Sequence, residues 1–236
     1  MKTLVIVPAY NEEESVVAVV TRLMAVCPQF DIVVVNDGST DGTAELCRIN
    51  GFTLLDLATN LGLTGAVVTG MRYACENDYD VAIQFDADGQ HHPEYLQAMV
   101  DEIGKGADVV CGSRFLEGKK HISSRMVGNS LIALLIRLAS GQLLTDPTSG
   151  LRAYTRRIIK LFATQIDITP EPDTISYLIK LGATVSEVPV IMSRRTTGIS
   201  YLTLPRAIKY ISRMVISILI LQPIRLGNLD AIESRC

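Results

Sequence analysis

Short apolar runs alternate with longer stretches of helical periodicity in the first half of the chain. The apolar runs are residues 4–7, 32–35, 52–57, 81–85 and 108–112, and a helical pattern is clearest at 64–76. Near-continuous apolar strands separated by helices are typical of a parallel sheet that is covered on both faces. The pattern therefore predicts an α/β fold with a mostly parallel, Rossmann-like central sheet flanked by helices.

Polar residues next to the apolar runs predict where three helices begin. Asn11 has the residue type of an N-cap, and Glu14 follows three positions later as a capping-box partner. Asp41 can open the next helix, and Pro93 suits the first turn of another.

The second half of the chain has a less regular pattern. Residues 126–139 form an apolar helical run, 146–152 have the composition of a loop or turn, and 184–192 predict a late strand. Residues 205–221 predict an amphipathic C-terminal helix, because its apolar run is interrupted by cationic residues.

Composition limits the class of protein. A chain of 236 residues with 48% hydrophobic residues fits one large domain, or one domain with an appendage. The five cysteines are scattered and match neither a disulfide framework nor a zinc motif, which favours a reducing cytoplasm. The first residues do not have the pattern of a signal peptide, and no apolar run reaches the about 18 residues of a membrane span.

Charge is divided unevenly along the chain. Residues 1–110 contain 5 Lys and Arg against 17 Asp and Glu, whereas residues 111–236 contain 17 and 8. Many of these charges belong to an ordinary solvated surface. The division also suits an acidic half that works with a divalent cation and a basic half that meets an anionic substrate or a membrane face.

Polar segments follow four of the predicted strands. These segments are 8–12, 36–39, 86–88 and 113–114. In open α/β sheets, ligands bind outside the carboxyl ends of the strands, so we expect the four loops to form one site.

The loop after the fourth strand has the chemistry of a metal site. Asp86 and Asp88 offer hard carboxylate oxygens, Gln90 adds an amide oxygen, and Gly89 permits the turn that brings them together. Such a set suits Mg²⁺ or Mn²⁺. The alternative is a simple Asp-rich turn in which Asp88 caps the following helix. The glycine-rich phosphate loops of dinucleotide-binding and P-loop proteins are absent from the sequence.

Four motifs in this order carry a family resemblance: PAYNEEE, VVNDGSTDGT, FDADGQHHPE and GSRF. Together they resemble the inverting glycosyltransferases of family 2, which have the GT-A fold. DADGQH with the later SGLR and VPV…R-x-x-G-x-S resembles the dolichol- or polyprenyl-phosphate sugar transferases. The match spans roughly residues 1–200. It implies a GT-A catalytic domain at 1–204, with a nucleotide-sugar half at 1–112 and an acceptor half at 113–204, followed by a C-terminal helix and tail at 205–236.

The resemblance also implies roles for individual residues around a nucleotide sugar. The nucleotide-sugar site would comprise Pro8, Ala9, Tyr10, Glu12, Asp37, Asp86 and Ala87. The metal, Mg²⁺ or Mn²⁺, would be held by Asp86, Asp88 and Gln90, with His91 close by. His92 is expected to have a structural role beside the helix.

The acceptor side is expected to depend on arginines. A polyprenyl phosphate is already ionised near neutral pH, so it needs positioning cations more than a general base. Arg114, which follows the fifth strand, Arg125, where the family places an arginine before an apolar helix, and Arg195 are expected at the acceptor phosphate, and Asp88, Arg114 and Arg125 form the expected catalytic set. The alternative is that some of these arginines are surface salt-bridge partners. Arg152 is a further basic candidate. Tyr201 stands where the family often has a lysine. If that lysine contacts the diphosphate in the family, another residue makes the contact in this chain or the contact is absent.

The function implied is the metal-dependent transfer of a hexose from a nucleotide-diphosphate sugar to a polyprenyl phosphate, with inversion, for cell-envelope glycan synthesis. One alternative is transfer to a hydroxyl of a growing polysaccharide, which a carboxylate base near Asp173 would favour. Another is an inactive nucleotide-sugar-binding scaffold, which loss of the D-x-D motif would favour.

The acceptor lipid implies contact with a membrane. The expected location is peripheral, on the cytoplasmic face of the cell membrane, with the helix at 205–221 lying in the interface plane. That helix could instead pack on the domain, on a second subunit of a homo-oligomer, or on a small membrane partner protein. Nucleic acid is not expected as a partner.

Overall fold

One sheet lies at the centre of the computed structural model, which describes residues 1–116, 124–165, 168–193 and 212–222, without the side chains of 124–127 and 221. Within these ranges the sheet has seven strands in the order β3-β2-β1-β4-β6-β5-β7. The strands are β1 Thr3–Ala9, β2 Asp31–Asn36, β3 Leu54–Asp56, β4 Val81–Gln84, β5 Val109–Ser113, β6 Arg152–Thr155 and β7 Val185–Pro189.

The sheet is mostly parallel, as the apolar pattern predicted. Strand β1 pairs in parallel with β2 and β4, and β5 pairs in parallel with β7. Strand β6 is the exception, because it runs antiparallel to both of its neighbours. The sequence analysis was wrong to place Arg152 at the end of a loop, since that residue begins β6.

Helices cover both faces of the sheet. In the described ranges they are α1 Val16–Val26, α2 Thr43–Ile49, α3 Gly62–Glu76, α4 Leu96–Gly104, α5 Ser124–Ser140, α6 Arg156–Thr164 and α7 Pro172–Lys180. A 3₁₀ turn at Pro93–Tyr95 precedes α4, and residues 212–222 are helical with a π-helical part at Ser217–Leu221.

Alternate side chains of the central strand enter two separate cores. Leu4 and Ile6 of β1 belong to the core on one face, whereas Val5, Val7 and Ala9 belong to the core on the other. All five are at most 2% exposed. Burial on both faces explains why this strand has a continuous apolar sequence rather than an alternating one.

Hydrogen bonds of Asn11 connect two loops at the position where a helix N-cap was predicted. Asn11 has a φ of 54°, and helix α1 begins only at Val16. The Asn11 side-chain oxygen accepts a hydrogen bond from the backbone N–H of Thr40 at 2.9 Å, and its own N–H donates to the Ser39 hydroxyl at 3.0 Å. The N-cap prediction for Asn11 was therefore wrong, because this residue joins the loop after β1 to the loop after β2.

The described part of the C-terminal helix packs on the domain. Met214 and Ile218 are fully buried, and Arg213 forms an ion pair with Glu171 at 3.3 Å. The Ser217 hydroxyl donates to the carboxylate of Asp173 in the first turn of α7. No helix within the described residues is long and apolar enough to cross a membrane.

Candidate functional site

A cavity of about 400 Å³ opens at the carboxyl ends of the adjacent strands β2, β1 and β4. Eight of its lining residues were predicted from the sequence: Pro8, Ala9, Tyr10, Glu12, Asp37, Asp86, Ala87 and Asp88. The β3–α3 connection and α3 supply four more: Asn60, Gly62, Leu63 and Ala66. The structure thus brings the predicted nucleotide-sugar residues into one cavity, and their individual roles stay a prediction.

The loop after β1 forms one wall and is held by the start of α2. The backbone N–H of Glu12 donates to the Thr43 hydroxyl at 2.9 Å. The Glu12 carboxylate accepts from the Ser15 hydroxyl at 2.6 Å. Tyr10 is 37% exposed, so its ring has a free face at the cavity rather than a place in the core.

Asp37 joins the loop after β2 to the start of helix α3. Its side chain is nearly fully buried, and its backbone N–H donates to the carbonyl of Ala9 at 2.8 Å. Its carboxylate accepts from the N–H of Leu61 at 2.7 Å, immediately before α3 begins at Gly62. The positive end of the helix dipole favours a carboxylate at this position.

Asp86 lies where β4 ends and stays ionised among several donors. Burial by itself raises the pKa of Asp86, but the neighbouring His91 and Gln84 side chains and the charge of Arg152 bring that pKa below its ordinary value. His91 is almost fully buried, with Nε2 lying 3.4 Å from the carboxylate. Gly150 packs so closely that a Cβ added there would lie 2.7 Å from Asp86 Oδ2.

The turn after Asp86 has the form that the sequence predicted. Gly89 has a φ of 72°, which side-chain-bearing residues rarely adopt. The N–H of Gln90 donates to the Asp88 carboxylate at 3.1 Å. Asp88 lines the cavity, while His92 is the residue that precedes the turn beginning at Pro93. The alternative in which Asp88 caps that helix is therefore wrong.

Two protein carboxylates, those of Asp86 and Asp88, are available in this cavity to bind a divalent cation. Among the residues that the structure describes, no group of three or more His, Cys, Asp and Glu could enclose a metal ion by itself. Gln90 does not line the cavity, and its backbone carbonyl accepts a hydrogen bond from the backbone N–H of Ser193 at 2.9 Å. Asp86 and Asp88 nevertheless fit Mg²⁺ or Mn²⁺, since these ions bind few carboxylates and complete their shell with phosphate oxygens and water.

Arg114, which was predicted to act at the acceptor phosphate, forms an ion pair with Asp146. Its Nε and Nη2 donate to the two carboxylate oxygens of Asp146 at 2.6 and 2.8 Å. The Asp146 side chain is fully buried, whereas the Arg114 side chain is 31% exposed. Nη2 also donates to the Thr148 hydroxyl at 3.2 Å.

The loop that carries Asp146 is fixed by a carboxylate from β7. Glu187 accepts from the backbone N–H groups of Thr145 and Asp146 at 2.8 and 2.9 Å. Asn129 donates to the carbonyl of Thr145 at 2.9 Å. Arg114 is therefore held by a network that extends from α5 to β7.

The other predicted cations fall into two groups. Arg152 is 3% exposed and donates to the carbonyls of Pro147 and Pro170 at 2.8 and 3.0 Å, so its guanidinium serves the fold. Arg125 lies in helix α5, but its side chain is outside the described residues, as are Arg195 and Tyr201 altogether.

The partners of Arg114 were the hardest residues to find in the sequence. Asp146 and Glu187 were missed because each is recognisable only through a partner that is distant in sequence. The Asp146-Pro147 dipeptide marks a turn but says nothing about Arg114. His92 has the expected structural contacts, with Nε2 lying 2.9 Å from the Ser193 hydroxyl.

Comparison with known proteins decides the family. The profile described as "Glycosyl transferase family 2" matches residues 4–162, which is more than half of the chain. The chain belongs to glycosyl transferase family 2. The matched region of this family 2 glycosyltransferase contains the whole 400 Å³ cavity.

Two relatives are similar over most of their length. The "Polyprenol monophosphomannose synthase" of Mycolicibacterium smegmatis is 33% identical over 221 residues, which cover 84% of this chain and 80% of that protein. The "Undecaprenyl-phosphate mannosyltransferase" of Micrococcus luteus is 35% identical over 216 residues, covering 84% and 86%. These similarities confirm the resemblance to polyprenyl-phosphate sugar transferases.

A solved structure confirms the GT-A fold. The glucosyl-3-phosphoglycerate synthase of Mycobacterium tuberculosis, in complex with Mn²⁺, UDP-glucose and phosphoglyceric acid, superimposes with a TM-score of 0.68. The alignment covers 96% of this glycosyltransferase and 81% of that chain, at 19% sequence identity.

Proposed function

We propose that this family 2 glycosyltransferase moves a hexose from a nucleotide-diphosphate sugar to a polyprenyl phosphate, with inversion at the anomeric carbon. The observation that carries the proposal is the pair Asp86 and Asp88, which share one cavity with the loops after β1 and β2. The two relatives named above support the lipid acceptor. Both are named for mannose, so a mannose donor is the first to test.

The first half of the chain, residues 1–112, would bind the donor. Pro8, Ala9, Tyr10, Glu12 and Asp37 would enclose the base and ribose, since they line the same cavity from the ends of β1 and β2, next to the end of β4. Asp86 and Asp88, with Gln90 as the predicted third ligand, would hold Mg²⁺ or Mn²⁺ beside the diphosphate. When bound, such an ion neutralises charge on the departing nucleoside diphosphate.

The second half of the catalytic domain, residues 113–204, would present the acceptor. One oxygen of its phosphate attacks C1 of the hexose from the face opposite the diphosphate, and the C1–O bond to the diphosphate breaks. The acceptor phosphate is already ionised, so no protein base has to remove a proton. Arg114, Arg125 and Arg195 are the proposed cations at that phosphate, with Asp146 fixing the guanidinium of Arg114.

Transfer to a sugar hydroxyl has less support in the structure. Such a reaction needs a general base, which a carboxylate near Asp173 would supply. The carboxylate of Asp173 accepts from the Ser217 hydroxyl, and its carbonyl accepts from Gln222 at 2.7 Å. Asp173 is thus engaged by the C-terminal helix and does not line the 400 Å³ cavity.

Location and partners follow from the proposed acceptor. A polyprenyl phosphate lies in a membrane, so the enzyme would act as a peripheral protein at the cytoplasmic face. Ile216, Leu219 and Ile220 of the C-terminal helix are each about half exposed and could contact lipid. A homo-oligomer and a small membrane partner protein stay predictions.

The test is an assay with purified protein, polyprenyl phosphate, Mg²⁺ or Mn²⁺ and a panel of GDP-mannose, UDP-glucose and UDP-N-acetylglucosamine. A lipid-linked sugar that forms with one donor and is lost with chelator or in Asp88→Ala is the expected result. Transfer to a polysaccharide but not to the lipid would support the hydroxyl alternative. Binding of a donor without transfer to either acceptor would support the inactive scaffold.

A further inference from the structure

Glu187 accepts hydrogen bonds from three donor groups of a distant loop. These donors are the backbone N–H groups of Thr145 and Asp146, at 2.8 and 2.9 Å, and the Thr145 hydroxyl, at 3.1 Å. Thr145 and Asp146 lie 42 and 41 residues before Glu187 in the sequence. Asp146 in turn accepts from the guanidinium of Arg114. One side chain of the edge strand β7 therefore fixes the backbone of the residue that pairs with Arg114.

A second route connects Glu187 to the loop that carries Arg114. The hydroxyl groups of Thr145 and Ser113 form a hydrogen bond with each other. Because the Thr145 hydroxyl donates to Glu187, the Ser113 hydroxyl is the donor to Thr145. Ser113 directly precedes Arg114, and its hydroxyl also accepts from the backbone N–H of Phe115 at 3.2 Å. The residues on both sides of Arg114 are thus linked, through Thr145, to the same carboxylate.

The carboxylate of Glu187 acts on this loop and not on Arg114 directly. Among the described residues, every hydrogen bond of the Glu187 carboxylate is with Thr145 or Asp146, and Glu187 does not line the 400 Å³ cavity. Hydrogen bonds to an ionised carboxylate are stronger than those between neutral groups. An amide at this position would keep one acceptor oxygen, but its NH₂ group would face other donors.

We propose that Glu187 is a positioning residue for the acceptor, because it holds the loop at 145–148 in the place from which Asp146 directs the guanidinium of Arg114. The inference rests on the proposed function, in which Arg114 meets the acceptor phosphate. A phosphate oxygen that attacks C1 has to approach along one line, so a small rotation of the guanidinium displaces the nucleophile. Loss of the Glu187 carboxylate should therefore impair use of the acceptor and leave binding of the donor unchanged.

The test compares Glu187→Gln with Ser186→Ala, which alters the adjacent residue of β7 and removes a hydrogen bond to Glu102 instead. Transfer to undecaprenyl phosphate in detergent would give kcat/KM for the acceptor, with Mn²⁺ and the nucleotide sugar that wild-type protein uses. Calorimetry would give the Kd of the corresponding nucleoside diphosphate. In Glu187→Gln we expect the acceptor kcat/KM to fall roughly tenfold with no change in the nucleotide Kd. Ser186→Ala should change neither quantity.

Arg114→Gln distinguishes positioning from a general structural role. If Glu187 acts through Arg114, Glu187→Gln should lower the acceptor kcat/KM by no more than about twofold in protein that already carries Arg114→Gln. A general structural role predicts the same roughly tenfold loss in both backgrounds. Thr145→Val is a milder second variant, because it removes only the hydroxyl that links Glu187 to Ser113. It should also lower the acceptor kcat/KM, and again only while Arg114 is present.

An unchanged acceptor kcat/KM in both Glu187→Gln and Thr145→Val would overturn the positioning role of Glu187. Losses that multiply with the loss caused by Arg114→Gln, or an equal weakening of nucleotide binding, would overturn it as well. If Glu187→Gln binds no nucleotide because it does not fold, the result with Thr145→Val decides. Wild-type protein that binds a nucleotide sugar but transfers nothing to undecaprenyl phosphate would refute the proposed function itself, and the positioning role with it.

Discussion

Replacing Asp146 with alanine should destabilise this glycosyltransferase strongly, because it removes one half of a buried ion pair. The Asp146 side chain is fully buried and accepts three hydrogen bonds from Arg114: from Nε at 2.6 Å, from Nη2 at 2.8 Å and from the backbone N–H at 3.2 Å. The alanine variant leaves the guanidinium of Arg114 without its carboxylate.

The expected loss in the free energy of unfolding follows from how deeply Asp146 and Arg114 are buried. Removing one partner of a fully buried pair costs about 3–5 kcal/mol. The Arg114 side chain is 31% exposed, so water can solvate part of the orphaned charge and lower the cost to about 2–3 kcal/mol. For a domain of this size each kcal/mol shifts Tm by about 2–4 °C, so the melting temperature should fall by about 4–12 °C.

Thermal and urea unfolding would measure this change against Asp78→Asn, a surface control whose residue type tolerates the positive φ of 58° at that position. Asp78 also pairs with an arginine, Arg156, but the two side chains are 80% and 42% exposed. Breaking such a surface pair costs about 1 kcal/mol or less. Equal losses in the two variants would refute the argument that burial of Asp146 makes its ion pair important.

Two further predictions concern the donor site and acid stability. Gly150→Ala should weaken Mn²⁺-dependent nucleotide binding by about tenfold or more, because its Cβ would lie 2.7 Å from Asp86 Oδ2 and displace the carboxylate. Calorimetry would measure this, and Gly104→Ala is the control since its Cβ meets only ordinary contacts; an equal loss there would contradict the prediction. Burial raises the pKa of Asp41, but donors from Thr43 bring it below the ordinary 3.8. The ionised carboxylate of Asp41 therefore contributes its full stabilisation above about pH 3.8, the ordinary pKa. This contribution is lost as the pH falls through the lowered pKa of the folded protein. The stability deficit of Asp41→Asn, measured by urea unfolding, should be largest near about pH 7 and shrink toward about pH 2; a constant deficit would show that the carboxylate charge is not involved.

The sheet could be predicted from the sequence because its central strands are buried on both faces. A strand such as β1 is apolar at consecutive positions, so local composition is sufficient to find it. Strand β6 lacked this pattern, since it begins with Arg152. That charge is tolerated because the carbonyls of Pro147 and Pro170 accept from it, and no local pattern reveals such contacts.

The donor side of the site could be predicted for a related reason. Its residues follow strands that were themselves visible, and parallel strands bring their carboxyl ends to one edge. The acceptor side depends on pairs that are far apart in sequence: 32 residues separate Arg114 from Asp146, and 41 separate Asp146 from Glu187. The sequence contains these residues but not their pairing.

The pairing changes what the basic half of the chain can do. Three of its arginines are already engaged within the described residues: Asp146 pairs with Arg114, Glu171 pairs with Arg213, and carbonyl groups accept hydrogen bonds from Arg152. Net charge therefore gives little attraction for a phosphate at these positions.

Under the proposed function, Arg114 would act at the acceptor through its fixed orientation. Asp146 and Thr148 engage Nε and Nη2, so Nη1 is the group that remains for a ligand among the described contacts of this side chain. A guanidinium that is already oriented loses little freedom when a phosphate binds, and its charge stays directed at one point during the reaction. Under the proposed function, the buried carboxylate of Asp146, which lowers the net charge around Arg114, would also be the group that makes this arginine effective.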